Sequence, residues 1–464
     1  MIKRSLMLTV SLAVAGGAAY AQSITQSDID AMRNALHSGP SFTAVQNALT
    51  STNDIRSLAH NHAMDGKIDH LFKYRVNVSG ITDQKKSGRC WMFTSQNVLR
   101  PSVMEKFNTD EFYFSHNYLY FWDILEKSNL FLENIMATAD KPADDREVMH
   151  FFSMPVNDGG VWNLFYNIAG KYGVVPASVM PETPHSENTA QMVALINEKL
   201  RREGYMMRET AAATDNARKR TALLREQKQQ ALADIYRILA LCLGEPPAEF
   251  EWRFRDRDGR IVEKHYTPLE FYAEIVPADY SPENYIMIMN DPTREYYRVY
   301  EISNYRNAVE GINWVYLNLP NEEIKRAALA SIKGNEAMYA SCDVDKFLDR
   351  KAGIMDPAMY DYEALLGVEL DMDKKARILT RQSGSTHAMT LVGVDTDADG
   401  KPVKWEFENS WGPEIGNHGY LTFTDKWFDE YMFRLVIHKR YLDQKALDAL
   451  ETEPVVLPAW DYMY

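Results

Sequence analysis

The sequence predicts an α+β fold, with helices gathered in the first half of the chain and strands in the second. Three observations carry this. Helix-forming, amphipathic segments dominate from Gly88 to Leu243. Alternating strand patterns become dense after Asn290-Asp291-Pro292. No βαβ alternation and no internal repeat links the two halves.

The elements follow in chain order. "TQSDIDAMRNALHSG" has apolar positions at helical spacing, Ser27 or Asp28 as its cap and Gly39 as its stop. Gly88 to about Phe107 reads as a helix, with Pro101 expected to break or kink it. "NYLYFWDILEKSNLFLENIMATA" is apolar and aromatic enough for a core helix. "NDGGVWNLFYNIAGKYGVVP" is a glycine turn and a short amphipathic helix ending at Gly173. From Ser186 to Leu243 nearly every residue favours helix, up to the stop at Gly244-Glu245-Pro246-Pro247. "EWRFRDRDGRIVEKHYTP" is a hairpin turning at Asp258-Gly259, and Thr267 caps a helix with Pro268 at its first position. "GINWVYLNL" and "EAMYASCDV" are strands flanking the helix "NEEIKRAALASIKG". "AMTLVGVD" and "KWEFENSW" are strands joined by a turn.

Composition bounds the function. Hydrophobic residues make up 45% and aromatic residues 12% of 464, enough for a large core. A net charge of −14 argues against nucleic acid as the partner. Lys3 and Arg4, then "LMLTVSLAVAGGAA", then Ala19-Tyr20-Ala21, read as a signal peptide over 1–21. The expectation is export to the periplasm or beyond, with no stable membrane anchor once the signal is cleaved. Residues 22–66 form an N-terminal extension. Three cysteines leave at least one free thiol; Cys242 and Cys342 sit in apolar segments that favour buried free thiols over a disulfide.

The third, Cys90, lies in "QKKSGRCWMF", where Ser87-Gly88 makes a turn and the helix begins. A thiol there feels unpaired N–H groups and the positive end of the helix dipole, both of which favour the nucleophilic thiolate. A cysteine nucleophile needs a base, and the base needs an orienting group. His387 enters an apolar strand and Asn409 leaves the next one, so antiparallel pairing would set them side by side. Gln84, six residues before Cys90, has an amide to pair with the Cys90 N–H in an oxyanion hole.

"Q-x5-C-W", "N-D-G-G", "S-T-H-A-M" and "E-N-S-W-G" together resemble the papain-type cysteine peptidases. "SGRCW", "SCDV" at Ser341 to Val344 and "LPAWD" at Leu457 to Asp461 are similar to the bleomycin hydrolase/aminopeptidase C branch. The resemblance implies a two-lobed papain-like fold over 67–464, one helical lobe and one antiparallel β lobe. It implies a long helical insertion at about 186–300 and a C-terminal arm at 452–464. Cys90 to His387 is far longer than the roughly 130–150 residues of ordinary papain-type chains, and the insertion accounts for it. It further implies Cys90 as nucleophile, His387 as general base and acid, Asn409 orienting the imidazole, Trp411 shielding that bond and Gln84 donating to the oxyanion. Gly159 and Gly160 would admit a substrate backbone, and Tyr464 would stand in the cleft. Implied too are N-terminal trimming of peptide substrates, no cofactor or metal, and a homohexamer. The branch continues past "WDP", whereas this sequence reads Trp460-Asp461-Tyr462-Met463-Tyr464, a bulkier arm. An endopeptidase or dipeptidyl peptidase with an opened cleft, or an inactive scaffold protein, are the alternatives.

Two motifs are set aside. "DTDADGKPVKWE", Asp395 to Glu406, matches a calcium loop but is flanked by strands and reads as a polar hairpin turn. "HNHAMD", His60 to Asp65, spaces its histidines poorly for one helical face.

Overall fold

The computed structural model describes residues 23–36, 39–51 and 54–462, which divide into two compact units. The smaller comprises residues up to His60 together with Asp361–Val368. It holds the helices Gln26–Ala35, Pro40–Thr50, Ile55–Ala59 and Tyr362–Leu366. The first is capped by Thr25, not by Ser27 or Asp28. Thr25 accepts from the Asp28 N–H while the Asp28 carboxylate reaches back to the Thr25 N–H, so the anticipated cap is the partner of the real one. Gly39 does not stop that helix but precedes Pro40 at the start of the next, where proline's missing N–H costs nothing.

The larger unit carries the rest of the chain. Cys90–Lys106 is one continuous helix, so Pro101 does not break it. Tertiary contacts override the local cost of about 3 kcal/mol. Trp91, Phe93, Leu99 and Val103 are buried on both sides of the proline. Arg100 is held by the Glu408 carboxylate at 2.6 Å, the Asn97 side chain at 2.7 Å and the Gly80 carbonyl at 3.0 Å. His116–Ala137, capped by Ser115, is the long core helix expected, and Trp162–Tyr172 ends at Gly173.

The helical stretch after Ser186 resolves into two antiparallel helices, Ala190–Ala212 and Ala217–Leu243, the second capped by Asn216. Its helical part ends at Leu243. Within the anticipated 186–300 insertion lie the hairpin Phe250–Arg255/Ile261–Tyr266 and two strands of the main sheet, Tyr285–Met289 and Arg298–Ile302. Thr267 caps Pro268–Ile275 in a capping box with Glu270.

The main sheet is mostly antiparallel. At its centre Met338–Cys342 pairs with His387–Thr396, which pairs in turn with Pro402–Glu408. The His387–Thr396 and Pro402–Glu408 strands turn over Asp397–Lys401, and Glu406 is tied to Arg75 at 2.6 Å, so the acidic motif is the hairpin expected. The Val455–Leu457 strand runs parallel to Arg298–Ile302 and forms one end of the sheet. "HNHAMD" contributes a single 3-10 turn, His62–Met64, where the His62 Nδ1 meets Asp65 at 3.0 Å. No helix among the described residues is long and apolar enough to cross a membrane.

Candidate active site

Cys90 is the first residue of its helix, and the residue before it is anchored by its side chain. Arg89 is fully buried and donates to both Glu182 oxygens, at 3.2 and 2.9 Å, while its Nε donates to the Ser87 hydroxyl at 3.0 Å. The arginine immediately before the cysteine is therefore an anchor, while Lys85 pairs with Asp83 at 2.6 Å on the exposed side. All three cysteines are free, Cys342 buried and the other two half-buried.

The sheet register delivers the partners. His387 opens its strand opposite Cys342, and the neighbouring strand ends at Glu408, which leaves Asn409 at the same end. The His387 Nε2 lies 2.8 Å from Asn409 Oδ1. That oxygen also accepts the Ser410 N–H at 2.8 Å, which identifies it as the carbonyl end of the amide. Nε2 must then carry the proton, and Nδ1 keeps its lone pair for an incoming one. The Trp411 ring stacks on the imidazole with centroids 4.8 Å apart. Arg350 lies over the indole at 5.0 Å and is paired with Asp345 at 2.8 Å. The backbone N–H groups of Ala388, the residue after His387, and of Trp91 favour the thiolate form of Cys90. Helix start and strand start thus meet at Cys90 and His387.

The electrostatics differ from the expectation of a thiolate set up by the helix alone. Burial pushes the Cys90 thiol up to about 11, and the Ala388 and Trp91 N–H groups only partly oppose it. Burial likewise pushes His387 down to about 4, against the Asn409 hydrogen bond. Each group taken singly prefers its neutral form. Charge separates when a proton passes between them, and thiolate and imidazolium then stabilise one another.

Gln84 is buried and held at both ends of its amide. Oε1 accepts from the Ser410 hydroxyl at 2.7 Å, and Nε2 donates to the Ser87 carbonyl at 2.7 Å. One Nε2 hydrogen remains. Ser410 was missed in the sequence, although it sits inside "ENSWG", because nothing local shows that it reaches Gln84.

The two glycines differ. Gly159 donates its N–H to Asn157 Oδ1 at 2.9 Å and its carbonyl accepts from Lys127 at 2.7 Å, so its backbone is occupied. Gly160 is the open one, but its missing side chain has a further reason. A Cβ there would fall 2.7 Å from the Trp91 ring and 2.9 Å from Leu164. Tyr464 lies outside the described residues. The arm before it is anchored: Asp461 pairs with Arg294, the Tyr462 hydroxyl with Thr293, and Trp460 lies under Arg146 at 4.7 Å.

Residues 23–464 match the model of the Peptidase C1-like family. The bleomycin hydrolase of Rattus norvegicus is 38% identical over 452 residues, 94% of this chain and 97% of its own. The aminopeptidase C of Streptococcus thermophilus is 36% identical over 425 residues, 91% of this chain and 94% of its own. The crystal structure of PepW from Lactobacillus rhamnosis HN001 superposes with a TM-score of 0.89 at 36% identity, covering 95% of this chain and 98% of that one. The fold is accordingly the papain-like one, and with matches of this extent the chain belongs to the Peptidase C1-like family of cysteine peptidases.

Proposed function

We propose that the protein is an exported cysteine aminopeptidase in which Cys90, His387, Asn409 and Gln84 carry out the chemistry. The observation that carries this is the 2.8 Å bond from His387 Nε2 to Asn409, which leaves Nδ1 free to accept a proton. The names of the relatives, bleomycin hydrolase and aminopeptidase C, support the reaction class.

Cys90 passes its proton to Nδ1 of His387, and the thiolate attacks the carbonyl carbon of the first peptide bond. The negative charge moves to the carbonyl oxygen, which takes hydrogen bonds from the Cys90 N–H and the remaining Nε2 hydrogen of Gln84. The imidazolium gives its proton to the departing amine as the C–N bond breaks. The thioester is then attacked by water, whose proton returns through His387 to the thiol. Asn409 and Trp411 hold the ring in plane throughout. Gly160 offers its backbone to the extended substrate, and the anchored arm limits how much chain fits on the acyl side. Export rests on residues 1–21, and the homohexamer on the resemblance to the branch.

Digestion of matched free and N-acetylated peptides, with Cys90→Ala in parallel, tests this. Stepwise release from free N-termini only, absent in the variant, is expected. Internal cuts made equally in both peptide sets would replace the reading by an endopeptidase.

A further inference from the structure

We infer that Asp158 is a positioning residue for the oxyanion hole, acting on Gln84 through the Ser87–Gly88 peptide. The inference rests on the reading of Gln84 as oxyanion donor and adds what holds that donor in place.

One peptide unit connects the two residues. The Ser87 carbonyl accepts from Gln84 Nε2 at 2.7 Å, and the Gly88 N–H on the other side of the same plane donates to Asp158 Oδ2 at 2.6 Å. A peptide unit is rigid, so fixing its N–H fixes the direction of its carbonyl. The carbonyl takes up one Gln84 hydrogen and thereby aims the other. If the plane turned, Gln84 would keep only the Ser410 hydroxyl on Oε1, which restrains the oxygen end but not the donor.

Asp158 is itself immobilised from several directions. Oδ2 also accepts the Thr189 hydroxyl at 2.5 Å, and Thr189 directly precedes the Ala190–Ala212 helix. The Asp158 carbonyl accepts the Trp91 indole N–H at 2.8 Å. Lys127, paired with Asp123 at 2.7 Å, donates to the carbonyls on either side, Asn157 at 2.8 Å and Gly159 at 2.7 Å. Position 88 must be glycine for the contact to form, because a Cβ would sit 2.6 Å from Asp158 Oδ1. The carboxylate therefore joins the nucleophile turn, the Gly160 edge and the start of the helical insertion.

The test separates oxyanion binding from the thiol's own reactivity. A peptide aldehyde forms a tetrahedral adduct that uses the oxyanion hole, whereas alkylation by iodoacetamide develops no oxyanion. Gln84→Ala should lower kcat and aldehyde affinity by about 100-fold or more. Asp158→Ala should lower both by about 10- to 30-fold, since the donor survives but is less well aimed. KM and the alkylation rate on its pH plateau should stay within about twofold. Asp158→Asn, which keeps an acceptor oxygen, should recover most of the loss. The double variant should be no worse than Gln84→Ala alone, because both act through one donor. Should Asp158→Ala fail to fold, Asp158→Glu takes its place, with the carboxylate displaced by one methylene and the same pattern expected. An aldehyde affinity near wild type in Asp158→Ala or Asp158→Glu, an equal loss in alkylation, or multiplying losses in the double variant would each overturn the inference. A wild-type aldehyde affinity in Gln84→Ala would instead bring down the oxyanion reading and the inference with it.

Discussion

Replacing Asn409 by alanine removes one hydrogen bond from the catalytic pair and leaves the ring stack in place. The bond is 2.8 Å long, and Asn409 is 2% exposed, so water does not take over the vacated position. In the ground state it joins neutral groups. Once Cys90 has transferred its proton, the donor is an imidazolium, and a hydrogen bond to a charged group contributes about 1.5–3 kcal/mol. The loss falls on the transition state and corresponds to about 10- to 150-fold in kcat, with KM little altered. Trp411, stacked at 4.8 Å, still keeps the ring in plane, so the loss stays well short of that for Cys90→Ala. The pH dependence supplies a sign. Burial lowers His387 and the Asn409 bond raises it, so removing the bond lowers it further. The resting pair is neutral, so protonation of His387 is what removes the base on the acid side; with the bond gone this happens at lower pH, and the acid limb of kcat/KM moves downward. The assay is kcat and KM of a fluorogenic substrate with a free N-terminus, measured across pH, with melting curves to confirm folding. A loss as deep as that of Cys90→Ala, a loss under twofold, or a limb moving upward would refute the reasoning.

Cys90→Ala should abolish hydrolysis at an unchanged melting temperature; turnover near wild type in the folded variant would dismiss Cys90 as nucleophile. Gly160→Ala should destabilise by about 1–3 kcal/mol and also slow the reaction, because the new methyl meets the Trp91 ring, which its bond to Asp158 keeps from moving. A melting curve superimposable on wild type would count against that packing argument. Removing residues 461–464 should raise cleavage of N-acetylated relative to free peptides, and an unchanged ratio would show that the arm does not set specificity.

What the sequence revealed and concealed divides along the range of the interactions. Thr267-Pro268 with Glu270 announced a helix start because all its contacts lie within one turn. The adjacency of His387 and Asn409 was legible because two neighbouring strands and one turn determine it. Thr25 was displaced by Ser27 and Asp28 as a cap because each is a good cap alone and only the backbone geometry chooses among them. Pro101 misled because its local penalty is visible in sequence, whereas the Arg100–Glu408 pair that offsets it spans more than three hundred residues. Gly160 was read as room for substrate, and the Trp91 ring it also accommodates could not be seen. Asp158 sat in plain view inside "NDGG", but its partners at Gly88 and Thr189 come together only in the fold.

The Val455–Leu457 strand has a consequence for handling the molecule. It is three residues long, is followed by Pro458, and covers the flank of Arg298–Ile302. Short terminal strands and prolines are the usual means by which a sheet avoids recruiting a second chain along its open hydrogen-bonding side. Trimming within 461–464 leaves this cover intact. A cut before Val455 would bare the amides and carbonyls of Arg298–Ile302, a five-residue segment containing the buried Val299, Tyr300 and Ile302. Proteolysis in storage or an over-short expression boundary before Val455 would therefore add concentration-dependent clumping to the altered peptide cleavage expected from losing residues 461–464, whereas trimming within 461–464 would change cleavage without clumping.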